Sequence, residues 1–189
     1  GARVGEFYYS GRIVYVNQGA GLITAYLHLS DVVFADGDNQ IAIVDIESRD
    51  IEQRFSVEGV GAVQTVAWSP DGTQIAFVED GGSGDLFVAP TAGGKARQFT
   101  YGDQADVQPR WSPDGSKIAF VSDRGDHSFI GLYDVRTRKV SYVAPSVDFD
   151  SSPTWSPDGK RIAFCLVGDR VARVSREGGP VQILLENSP

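Results

Sequence analysis

Trp68-Ser69-Pro70-Asp71-Gly72 returns as Trp111-Ser112-Pro113-Asp114-Gly115 and again as Trp155-Ser156-Pro157-Asp158-Gly159. Each copy runs into one apolar block: Ile75-Ala76-Phe77-Val78, Ile118-Ala119-Phe120-Val121 and Ile162-Ala163-Phe164-Cys165. Proline presets φ at the second position of a turn and glycine accepts the positive φ that follows, so each phrase is a tight turn between two strands. A period of roughly 40–45 residues made of short strands marks a propeller blade.

Reading outward from these turns gives four strands per unit. The first predicts strands at Val66–Trp68, Gln74–Val78, Asp85–Ala89 and Ala96–Phe99, the last pair joined across Gly93-Gly94. The second predicts them at Arg110–Trp111, Lys117–Val121, Phe129–Val135 and Lys139–Val143. The third predicts Thr154–Trp155, Arg161–Leu166, Arg170–Val174 and Val181–Leu185, across Gly178-Gly179. Upstream, Val32–Phe34, Gln40–Val44 and Ile51–Phe55 form a degenerate copy with no WSPDG before it.

The expected fold is all-β: a partial β-propeller of three clear four-stranded antiparallel blades plus one degenerate blade. The expected division is an N-terminal β segment over 1–31 and propeller blades over 32–189, at about 32–58, 61–101, 104–145 and 148–187. One four-stranded sheet cannot bury both its faces, so each blade needs a neighbour. The tryptophans and the Ile-Ala-Phe blocks are therefore expected between blades. Trp68, Asp71, Gly72, Trp111, Asp114, Gly115, Trp155, Asp158 and Gly159 read as structural, the aspartates stabilising their own turns. Cys165, in the slot of Val78 and Val121, reads as a small buried hydrophobe.

The formal charge of −8 argues against a nucleic-acid partner, which requires a basic face. No apolar run approaches a membrane span. A lone cysteine permits no disulfide within the chain. There is no Walker-type loop, Cys-x-x-Cys or His-Glu-x-x-His, so neither cofactor nor metal is expected. A start at Gly1 and the lack of any methionine suggest a piece of a longer polypeptide. With at most four blades, the chain is expected to self-associate or to pack against the remaining blades of its parent.

The phrase WSPDG-x-x-IAF-x-S-D resembles the WD40-like repeat of the periplasmic translocation protein of the Tol system. It also resembles the N-terminal propellers of prolyl oligopeptidase and dipeptidyl peptidase IV relatives. The stretch Ser122–Asp134, read as an unusually long spacer between second and third strands, tilts the reading toward the peptidase group. That resemblance implies a non-catalytic gating or interaction module, the catalytic serine, aspartate and histidine lying in a hydrolase domain elsewhere in a parent serine peptidase. This chain has neither a Gly-x-Ser-x-Gly elbow nor the Glu-Glu pair that grips a substrate amino terminus in dipeptidyl peptidases. The alternative is a stand-alone Tol-like propeller that binds protein or peptide in the periplasm. Either way an exported location is favoured, with the cytoplasm left open.

Gly11–Ser30 also resembles the closing half of lysostaphin-like zinc endopeptidases. There His28 would be a zinc ligand and Gly37-Asp38 the following turn. A catalytic zinc needs three protein ligands, and Asn17-Gln18 stands where Asp-His often occurs, so the plainer reading is two strands, Ile13–Val16 and Leu22–Leu29. For binding, loops on a rigid scaffold are the usual carriers, and Arg124, Asp126 and His127 are the candidate contact residues.

Overall fold

The computed structural model describes residues 7–10, 13–18, 21–27, 31–36, 40–45, 51–56, 63–79, 84–144 and 148–186, with side chains described at Ile43 and, save at Gln64 and Ala144, within these ranges from residue 63 onward. His28 and Gly37-Asp38 lie outside these residues.

Four antiparallel sheets follow one another along the chain. The first has six strands in sequential order: β1 (Phe7–Ser10), β2 (Ile13–Gln18), β3 (Gly21–Leu27), β4 (Asp31–Asp36), β5 (Gln40–Asp45) and β6 (Ile51–Ser56). Its ladder is continuous past residue 31, since Tyr26 and Leu27 of β3 pair with Val33 and Val32 of β4.

Three four-stranded blades come next. Blade 1 holds β7 (Val63–Trp68), β8 (Gln74–Glu79), β9 (Leu86–Pro90) and β10 (Arg97–Gln98). Blade 2 holds β11 (Asp106–Trp111), β12 (Lys117–Asp123), β13 (Ser128–Asp134) and β14 (Lys139–Ala144). Blade 3 holds β15 (Ser151–Trp155), β16 (Arg161–Leu166), β17 (Arg170–Ser175) and β18 (Gln182–Leu185). Strands β7, β11 and β15 neighbour one another on the inside. This is the partial propeller expected from the repeat.

The turn phrase closes the same way each time. In blade 2, Asp114 Oδ1 accepts from Ser112 Oγ at 2.6 Å, Ser116 N at 3.0 Å and Ser116 Oγ at 2.7 Å. Ser112 Oγ in turn accepts from Lys117 N at 2.9 Å. Gly115 takes the left-handed φ of 68° that the turn requires. Asp71 and Asp158 accept the corresponding hydroxyl and amide bonds. The aspartates are thus turn clamps, and their carboxyls lie below the usual range because first the serine hydroxyl two residues back, then the other bonds, stabilise the charged form.

Period-two alternation explains how blades stack. Ile75 and Phe77 face the preceding sheet, packing with Ile43, Val63 and Val66. Ala76 and Val78 face blade 2, meeting Ile118, Phe120 and Tyr133. Ala119 and Val121 then face blade 3, meeting Ile162, Phe164, Ala172 and Val174. Burying each large apolar side chain contributes about 1.5–3 kcal/mol. The indoles add polar stitches: Trp111 Nε1 donates to Ala67 O at 3.1 Å and Trp155 Nε1 to Arg110 O at 2.9 Å. Each reaches the residue preceding the tryptophan of the blade before.

Two expectations are corrected. Cys165 is exposed, not buried. It shares the strand position of Val78 and Val121, but those side chains face a following blade, and no described sheet covers that side of blade 3. The stretch Ser122–Asp134 is not a long spacer. Strands β12 and β13 each run seven residues, Asp123 pairing with Ser128, so only Arg124–His127 is loop.

Candidate functional site

The loop Arg124–His127 lies at the end of the blades opposite the WSPDG turns. Asp123 Oδ1 accepts from Gly125 N at 2.8 Å and His127 O accepts from Arg124 N at 2.8 Å, which closes the loop, with Gly125 at a φ of 85°. From this short turn the side chains diverge onto neighbouring strands.

Arg124 Nη2 donates to Tyr142 Oη on β14 at 2.9 Å. Its guanidinium lies 5.3 Å from the centre of the Phe129 ring and 5.8 Å from that of Tyr142, within reach of cation–π attraction. Phe129 and Tyr142 meet edge to face at 4.8 Å. His127 flanks Phe129 at 5.5 Å, and its Nδ1–H donates to the exposed Asp126 carboxylate at 2.6 Å. The three residues expected from sequence therefore differ in role. Arg124 and His127 join an aromatic cluster, whereas Asp126 contributes through His127 alone.

The register explains the exposure of this cluster. Phe129 pairs with Ser122, and Tyr142 with Gly131, itself paired with Phe120, so both aromatics share the face turned toward blade 1. The outer strand of blade 1 has only two residues against six in β14. Blade 1 therefore stops short, and a depression of about 190 Å³ opens between Thr100, Tyr101, Gln104, Asp106, Arg124 and Tyr142. Tyr101 is 75 % exposed and Tyr142 44 %. At the floor, burial pushes the Asp106 carboxyl up, against the opposing bond from Ser122 Oγ at 2.5 Å.

Sequence reasoning missed Tyr101, Phe129 and Tyr142. Tyr142 had a readable signal: it alternates out of phase with the buried Val143 in an outer strand. Tyr101 had none, because it lies in the connection between blades. Ser128 Oγ donates to Asp150 O at 2.7 Å, and the His127 ring pairs through Nδ1 with Asp126. Among the described residues no group of three or more His, Cys, Asp or Glu could hold a metal ion.

Comparison with known proteins fits this architecture. No curated protein matches the chain. TolB from Acinetobacter baumannii superposes with a TM-score of 0.64 at 20% identity, over 94% of this chain and 49% of its own. Hydrazine synthase from Kuenenia stuttgartiensis superposes at 0.67 with 15% identity, over 92% of this chain and 63% of its own. At such identities the likeness is one of fold, and this chain spans about half the length of the A. baumannii protein. The family model for the TolB beta-propeller domain matches residues 23–187, and the chain belongs to that family.

Proposed function

We propose that this chain is a non-catalytic, Tol-type propeller module that binds protein through the loop end of blades 1 and 2. The observation that carries the reading is the cluster of half-buried Arg124 and Phe129 with the exposed Tyr142 and Tyr101, beside a concave floor. Tyrosine and arginine are the residues that most often anchor protein interfaces, because they supply large rigid contact area with a polar tip. The formal charge of −8 disfavours nucleic acid. No described helix is long and apolar enough to cross a membrane. An exported, periplasmic setting accompanies this reading, on the strength of the sequence resemblance.

The peptidase-type parent drew on the apparent length of Ser122–Asp134. That length is paired strand, so it lends the peptidase reading no support.

The test is site-specific photocrosslinking in cells, with the probe at Tyr142 and, as a reference, at the exposed Arg136 in the turn between β13 and β14. A discrete protein adduct from position 142, lost in Arg124→Ala and not formed from position 136, supports the reading. No adduct at 142, or equal adducts at both, overturns it. Hydrolysis of a proline-containing peptide by the parent protein would restore the peptidase alternative.

A further inference from the structure

Blade 2 is packed on both faces, by blade 1 through Ile118, Phe120 and Tyr133 and by blade 3 through Ala119, Val121 and Leu132. What it leaves exposed is therefore set by described neighbours, and its outermost strand, β14, has one edge open. That strand runs six residues, against two in β10 and four in β18. Lys139, Val140, Ser141 and Tyr142 are exposed in succession. Alternate residues of an edge strand turn their N–H and C=O groups away from the sheet. Among the described residues, none outside β13 bonds to the backbone of 139–143.

The two faces of this edge differ. Val140 pairs with Tyr133 and Tyr142 with Gly131, which turns both side chains toward blade 1. There they line the depression of about 190 Å³ with Tyr101 and Arg124. Val140 is 37% exposed, so a β-branched and an aromatic side chain stand open two residues apart, the surface that a cross-strand neighbour packs against. Lys139, opposite Asp134, and Ser141, opposite Leu132, lie on the face toward blade 3. Charge is one-sided as well. Lys139 stands at one end of the edge and Arg124, bonded to Tyr142, near the other. Among the described residues no carboxylate forms an ion pair with either.

We propose that the partner is held as an added strand: an extended, acidic segment pairs with the open edge of β14 over Lys139–Val143, sets alternate β-branched side chains over the depression, and brings carboxylates to Lys139 and Arg124. This rests on the reading of the Arg124 cluster as a protein-binding site, and names the form and charge of what binds there. Main-chain bonds along such an edge supply affinity, and the pocket beside every second residue supplies specificity. Cations on an edge strand discourage indiscriminate pairing, and the same cations select a segment of opposite charge. The segment stops short of the turn at Arg136.

The probe is the hexapeptide glutamate-threonine-valine-threonine-valine-glutamate, compared with a counterpart carrying lysine for both glutamates. Two further versions are N-methylated, one at odd and one at even residues, which keeps the side chains but blocks one edge of the peptide at a time. Titrated into the isotope-labelled chain, the acidic peptide should shift the backbone amides of 139–143 and bind about five-fold more tightly than the lysine peptide, the effect of two exposed ion pairs. One N-methylated version should lose binding and the other keep it. Lys139→Glu should bring the acidic preference down to about two-fold or less, with unchanged amide dispersion elsewhere certifying its fold. Equal affinity for the acidic and lysine peptides, equal binding by the two N-methylated versions, or no binding overturns the proposal. A photocrosslinked adduct from Tyr142 that persists while the peptides fail leaves the protein-binding site standing and overturns the added strand alone; no adduct from Tyr142 overturns both. A concentration-dependent dimer lost in Lys139→Glu places a second copy on the edge and also overturns the proposal.

Discussion

The clearest quantitative prediction concerns Arg176, which ties blade 3 to blade 2. Its guanidinium donates to Asp114 Oδ2 at 2.8 Å, to Ser116 Oγ at 2.7 Å and to Gly159 O at 3.1 Å, and lies 5.6 Å from the Trp155 ring centre. The arginine side chain is 17% exposed and the Asp114 side chain 51%. A hydrogen bond to a charged group contributes about 1.5–3 kcal/mol when buried, but the open side of Asp114 admits water, which lowers the pair to about 1 kcal/mol. The ring contact adds about 0.5–1 kcal/mol, and the two neutral acceptors together about 1 kcal/mol. Arg176→Ala should therefore lose about 2–3 kcal/mol in urea unfolding followed by far-ultraviolet dichroism, a drop in Tm of roughly 4–12 °C for a chain of this size. A double-mutant cycle with Asp114→Ala should give a coupling of about 1 kcal/mol. A cycle of Arg176 with Asp71, which makes the same turn bonds in blade 1 without this partner, should give none. A coupling under about 0.3 kcal/mol with Asp114, or an equal one with Asp71, would refute the account.

Other outcomes follow from the same packing. A Cβ on Gly131 would fall on the buried Phe120 ring, with Cε atoms 2.6 and 2.8 Å away, so Gly131→Ala should cost about 1–3 kcal/mol in urea unfolding despite its gain in strand propensity. Trp155→Phe removes the donor to Arg110 O and should cost about 1–2 kcal/mol, with no register change by amide NMR. The Asp114 and Asp134 carboxyls, the latter lowered to about 2 chiefly by the Thr137 backbone amide, contribute stability that is present above about pH 4 and lost as pH falls toward their folded values. Asp106, raised by burial, acts oppositely: its ionisation lowers stability as pH rises above about 4, so Asp106→Asn should weaken that fall when urea midpoints at pH 4 and 7 are compared. Cys165 should react with a bulky thiol reagent in the native chain without denaturant; protection until unfolding would show that something covers the outer face of blade 3.

What the chain declares by itself is local and repeated. Proline, aspartate and glycine at fixed offsets force a turn whatever surrounds it, and the Ile-Ala-Phe alternation forces a strand with two apolar faces. Three repetitions of both are enough for a propeller. The same logic could not fix the fate of Cys165, because the residue is identical in kind to Val78 and Val121 and differs only in what packs over it. Nor could it measure the loop at Arg124, where Ser122–Asp134 lacks turn signals sharp enough to separate long strands from a long spacer. The candidate site was half legible: Arg124 and His127 stand beside a glycine in a loop, but Tyr101 and Tyr142 lie in other segments and join them only because β10 is too short to cover the face of blade 2. Which faces of a blade are covered depends on neighbours distant in sequence, and that coverage, which decides burial, charge state and exposure, exists only once the sheets are stacked.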